Sequence, residues 1–200
     1  TVEWLHIHRV RFVPMYKRQA FKIDGVFRFW GGFTVEARGG GPGLVEAETN
    51  IARNLGVDLR YGSRPFRLTR QHGRVTGVEV KQGGATYQIN ARAVVLDAGG
   101  FQANPEMRAR YLGPGWELAK VRGSRFNTGA GIRMALDIGA APYGNWSGCH
   151  AVAWELNAPE FGDLGIGDMF QKHSYPFSLC VNLNGDRFLD EGAYFRNYTY

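Results

Sequence analysis

The 200 residues hold no G-x-G-x-x-G hexapeptide, the glycine signature between a first strand and a first helix with which dinucleotide sites usually begin. They hold no C-x-x-C either. Cys149 and Cys180 are the two cysteines, in no metal-ligand spacing, and this points to a reduced, cytoplasmic protein without a metal site. His6 and His8 look metal-like in text, but on a helix positions i and i+2 face different sides and cannot chelate together. No apolar run approaches the roughly 18 residues of a spanning helix, so no membrane span is expected. The opening Thr1-Val2-Glu3-Trp4 is not a signal peptide. Internal repeats, low-complexity tracts and a nucleophile–base pair for hydrolysis are all missing. The net charge is +6, yet there is no Lys/Arg-rich run. Dispersed basic residues read first as a mixed basic surface. Attraction of a small anionic substrate or cofactor comes second, and nucleic-acid binding is not expected.

What is abundant is glycine, 28 residues against a usual share of about 7%. The cluster Gly39-Gly40-Gly41-Pro42-Gly43 lies between apolar segments, which suggests close backbone approaches rather than a flexible linker. After it, Leu44, Ala47, Ile51 and Leu55 recur at helical spacing, predicting one buried stripe closed by Gly56. Before it, a helix end over residues 1–10 leads into a strand at Arg11-Phe12-Val13. Strands are predicted over residues 57–61, 65–69, 74–81 and 86–90, with turns at Gln71-His72-Gly73 and Gln82-Gly83-Gly84. The later strands form a small antiparallel meander. Residues 93–96 are apolar without alternation, which predicts a strand buried on both faces of a parallel sheet. A helix over residues 131–138 carries Gly131, Ala135 and Gly139 at four-residue spacing, a small face suited to close contact with a sheet. The fold class is therefore α/β or α+β. A composition shift near Trp146 divides the chain into residues 1–145 and a second domain over 146–200.

Two segments carry the chemistry. Val94-Val95-Leu96 runs into Asp97-Ala98-Gly99-Gly100-Phe101, and Asn127-Thr128-Gly129-Ala130-Gly131 later opens a helix. An apolar strand ending in glycines lets backbone approach a ligand closely. Together they read as the closing half of a nucleotide-cofactor site.

The order of parts is a Gly-rich turn, a helix, a meander, V-V-L-x-A-G-G-F-x-x-N, T-G-x-G-I-x-M-A and N-x-x-G-x-R-F-x-x-E. It resembles the FAD-dependent fumarate reductase and succinate dehydrogenase flavoproteins, and within them most the tricarballylate dehydrogenases. The resemblance spans nearly the whole chain and is most specific from Ala93 to Met134. It implies a partial FAD-binding domain followed by the start of a capping domain. It places Ala98, Gly99, Gly100, Thr128, Gly129, Ala130 and Pro65 at the cofactor. The chain departs from the family with Asp97 where a small residue is usual and Ala130 where an aspartate is usual. At the strand meeting the adenine, Pro65 lacks an N–H, so only its carbonyl could serve.

The same resemblance implies hydride transfer between flavin and a small polycarboxylate. Arg196, following Gly185-Asp186-Arg187-Phe188-Leu189-Asp190-Glu191, becomes the candidate for proton transfer or for clamping a carboxylate. His150 becomes a candidate catalytic and substrate-binding residue, able to donate to a carboxylate. Gln171, Lys172 and His173 fall among further substrate contacts, and Lys172 suits an extra carboxylate. The lack of an initiator Met and the end at Tyr198-Thr199-Tyr200 suggest a piece of a longer protein. Such a piece is expected to be inactive and to bind FAD weakly. The competing expectation is a non-catalytic module that self-associates through exposed sheet edges.

Overall fold

The computed structural model describes residues 1–16, 20–29, 32–171 and 178–191. It divides into two units, residues 1–62 and residues 63 onward.

The first unit begins with helix α1 (Val2–Ile7) and strand β1 (Phe12–Pro14). The hairpin β2 (Ala20–Ile23) and β3 (Val26–Phe29) turns at Asp24-Gly25. Both turn residues have positive φ, 47° and 80°, the geometry that matches a two-residue hairpin to strand twist. Strand β4 (Val35–Ala37) returns antiparallel to β1, pairing Val13 with Glu36. Helix α2 (Gly40–Asn54) follows and packs on β4.

The glycine cluster turns out to be the start of that helix. A Cβ on Gly43 would lie 2.0 Å from the Arg38 carbonyl oxygen, so the close approach expected there is real. Gly56 follows the helix end with φ +76°, as the sequence predicts. The stripe itself is a correction. No residue of α2 is buried: Leu44, Ala47 and Ile51 are half-buried and Leu55 is 73% exposed.

The second unit is built on a three-stranded antiparallel meander of β5 (Arg64–Gln71), β6 (Arg74–Gln82) and β7 (Ala85–Asn90), with β6 in the centre. His72-Gly73 and Gly83-Gly84 make its two turns, all four residues at positive φ. Strand β5 is an edge, and there Pro65 costs no central ladder bond; the register shifts between Pro65 and Arg67. Helix α3 (Pro105–Leu112), a short 3-10 turn Trp116–Leu118 and helix α4 (Ala130–Asp137) complete the regular structure around the candidate site. Helix α4 packs on β5, and the Arg70 guanidinium donates 3.0 Å to the Ile138 carbonyl at the helix end. Among the described residues of this unit, Leu68, Val80, Ala103, Met107, Val121, Met134 and Ala158 are the buried apolar ones.

Two strand expectations fail. Residues 57–61 are irregular and exposed. Gly56 and Gly62 flank them at positive φ, and Asp58 pairs locally with Arg60 at 2.7 Å. Residues 93–96 form no strand, and Val95 is 89% exposed. The mixed α/β class holds, but every sheet among the described residues is antiparallel. The parallel strand of the expected fold is thus not formed. An apolar run becomes a strand only where a neighbour offers a ladder, and no described strand pairs with this one.

Candidate functional site

The glycine turn after residue 96 and the loop opening α4 meet each other. The Gly129 N–H donates to the Gly100 carbonyl at 3.0 Å, and the Ala103 N–H donates to Asn127 O at 2.9 Å. Gly99 has φ +69° and Gly129 φ +75°, the left-handed region that glycine enters without strain. Both also lack room for a side chain. A Cβ on Gly99 would come within 2.7 Å of Asn127 Oδ1, and one on Gly129 within 2.5 Å of Met107 Sδ. Gly131, on the small face of α4, lets Ala98 sit where a Cβ would approach to 3.1 Å. Ala98, Gly99, Gly100, Thr128, Gly129 and Ala130 therefore belong to one wall.

Two features suit this wall to a cofactor rich in phosphate oxygens. Ala98 and Gly99 are exposed on one side, leaving backbone open. Helix α4 starts from Gly129 without a side-chain cap and without an acidic residue in its first turn, so its leading N–H groups stay available to an anion. Asp97 is exposed. Ala130 stands at the first position of α4 and brings only a methyl group. Pro65 lies on β5, the strand on which α4 packs.

Helix α3 is the buttress of the wall. Asn104 caps it, accepting from the Met107 N–H at 3.1 Å, with Pro105 next in the first turn, an arrangement that favours helix initiation. Met107 is 3% exposed. Arg108, 7% exposed, donates to four backbone carbonyls. Those of Trp116, Glu117 and Ala119 lie at 2.8, 2.7 and 3.1 Å, and the fourth is Gln102. A buried guanidinium is tolerated when its donors are satisfied, and here it ties the turn to the 116–119 segment. Sequence reasoning passed over Arg108. The signal was present, since Asn104, Met107, Arg108 and Tyr111 fall at i, i+3, i+4 and i+7 on the inward stripe. Arg110, off that stripe, merely pairs with Glu106 on the surface at 2.8 Å. Behind the turn, Phe101, Tyr111 and Trp146 form an aromatic trio, with Tyr111 and Trp146 edge to face at 4.8 Å.

His150 is exposed, in a loop beyond Trp146. Beside it, burial pushes the Cys149 thiol up from its ordinary value. The G-x-R-F-x-x-E segment proves to be a clamp. Residues 181 and 187 bridge antiparallel around an Asn182-centred turn, and Arg187 then grips Glu191 with Nε at 2.8 Å and Nη2 at 2.5 Å. The Arg187 guanidinium, with the Cys180 N–H also donating to the carboxylate, holds the Glu191 carboxyl down to about 2. Lys172, His173 and Arg196 lie outside the described residues.

A family model described as an FAD binding domain matches residues 25–158. The chain belongs to this FAD-binding family. A probable fumarate reductase of Shewanella frigidimarina is 26% identical over 195 residues, covering 95% of this chain and 30% of that protein. A 3-oxosteroid 1-dehydrogenase of Comamonas testosteroni is 44% identical over 75 residues, 36% of this chain and 13% of that one. Among solved structures, the open conformation of a flavocytochrome c3 fumarate reductase aligns with TM-score 0.56 and 28% identity, over 70% of this chain and 24% of the other. The chain thus spans no more than about a third of the curated relatives it matches. No helix among the described residues is long and apolar enough to cross a membrane.

Proposed function

We propose that this chain is part of an FAD-dependent oxidoreductase acting on a small polycarboxylate of the tricarballylate kind, with residues 1–145 in the flavin domain and 146–200 opening a capping domain. The observation that carries the reading is the joining of two glycine-bearing loops, Gly129 N–H to Gly100 O, within the span of the FAD-binding match. Bound there, FAD would supply a hydride acceptor or donor. The backbone of residues 98–100 and 128–130 would hold it, with the Pro65 carbonyl at the adenine end. His150 would donate to a substrate carboxylate and, like Arg196, is assigned a catalytic role. Arg196 would clamp a carboxylate or manage the proton on the carbon next to the reacting one. Lys172 and His173 would bind further carboxylates. The dispersed +6 charge favours approach of such anions.

The test is the flavin absorbance of the parent protein holding FAD. Tricarballylate or succinate should bleach the oxidised flavin, or fumarate should reoxidise the reduced one. The probable fumarate reductase and a urocanate reductase of Eggerthella lenta, 33% identical over 113 residues, support this direction. A response to a 3-oxosteroid and to no polycarboxylate would overturn it. The isolated 200 residues should bind FAD weakly and turn nothing over.

A second reading is favoured by the exposed segment 93–96, with Val95 89% and Leu96 39% exposed. Uncovered apolar surface of this kind promotes association, making the chain a self-associating, non-catalytic module. Size-exclusion at several concentrations decides, and a monomer throughout ends this alternative.

A further inference from the structure

The Asn104 side chain reaches across the two loops. Its Nδ2 donates to the Thr128 carbonyl at 3.0 Å while its Oδ1 accepts from the Met107 N–H at 3.1 Å. The cap fixes which end of the amide is which, since only the oxygen can accept from an N–H. The backbone N–H of Asn104 donates to Phe101 O at 2.9 Å, and its carbonyl receives the Arg108 N–H at 3.0 Å. One half-buried residue therefore joins the glycine turn, the start of α3 and the loop that opens α4. Thr128 and Gly129 occupy the position where a change in spacing would move the leading N–H groups of α4 relative to Gly99 and Gly100.

We propose that Asn104 is the positioning residue of the FAD-facing wall, setting the separation of its two loops before the cofactor arrives. The proposal rests on the cofactor assignment made above. Asparagine suits the task because its two ends are different: the oxygen caps the helix and the nitrogen crosses to the neighbouring loop. Aspartate and serine are equally good caps, but aspartate places a second acceptor against the Thr128 carbonyl and serine is too short to bridge. Asn104→Asp and Asn104→Ser thus break the bridge and spare the cap, and serine does so without a new charge.

Amide hydrogen exchange reads both functions in the same sample. The Met107 amide reports the cap. The Gly129 and Ala103 amides, bonded to Gly100 O and Asn127 O, report the joined loops. In both variants the Met107 amide should stay protected and the melting temperature should hold. The Gly129 and Ala103 amides should exchange at least about tenfold faster, and titration with FAD should give a Kd about tenfold weaker or more. Unchanged Gly129 protection in both variants overturns the proposal, as does lost protection with an unchanged Kd. A wild-type parent protein that binds no FAD at any concentration counts against the cofactor assignment instead. Exchange at Gly129 then still decides whether Asn104 sets the spacing.

Discussion

The meander of β5, β6 and β7 and the wall formed by residues 98–104 and 127–131 sit in the same unit, yet they are held by different means. In the meander most residues are fixed by a partner close in sequence, as Val78 by Ile89 and Leu68 by Val78, and turns of two residues set the register. The wall has no ladder. It depends on a few groups brought together from distant positions, namely the Gly100–Gly129 bond, the Asn104 bridge, the four carbonyls on Arg108 and Met107 beneath Gly129. A sheet distributes its stability over many similar contacts. A wall of loops concentrates it in a handful of side chains, and its failure should be correspondingly local and abrupt.

The largest expected difference comes from Met107→Ala. Removing a buried methionine costs about 2–5 kcal/mol, and chemical denaturation should show a loss in that range. Amides of the wall should lose protection while those of β6 keep theirs relative to the global value. Equal loss in both regions would show that wall and meander unfold as one piece. Next comes Gly77→Ala in the centre of the meander. Its Cβ would fall 2.1 Å from the Ile89 carbonyl oxygen, so β6 and β7 must separate there, at about 1–3 kcal/mol. Exchange should rise first at Asn90 and Ile89, leaving the Gly129 amide protected.

The smallest effect concerns the Arg187–Glu191 clamp, a third kind of local closure. Its carboxyl is held down to about 2 from an ordinary 4.5. A group with a depressed folded value stabilises the fold above its unfolded pKa, and that contribution fades as pH falls through the folded one. The clamp should therefore be intact above about 4.5 and open as pH falls towards 2. Carbon NMR of the Glu191 carboxyl should titrate near 2, and Arg187→Gln should move the midpoint up towards 4.5. A wild-type midpoint already near 4.5 would remove the clamp from the account.

Local patterns were legible where local interactions decide. Alternation with His72-Gly73 and Gly83-Gly84 predicts the meander, because such turns close on neighbours in sequence. The stripe ended by Gly56 predicts α2 but not its half-exposed state, since burial is set by what packs on it. The run at residues 93–96 predicts a strand that does not form, because no described segment offers it a ladder. At the site, Gly99, Gly100 and Gly129 announce close backbone approach, whereas Arg108 looks like one more surface cation until the inward stripe of α3 is counted.

The sequence by itself determined the meander, helices α2 and α4 and the FAD-binding family. Turn glycines, apolar periodicity and motif spacing act over a few residues and need no fold to be read. Only the tertiary structure decided that Gly100 meets Gly129, that Asn104 spans both loops and that a buried arginine serves carbonyls rather than a carboxylate. Those contacts join residues with no local reason to meet, and their geometry exists only once the chain has closed on itself.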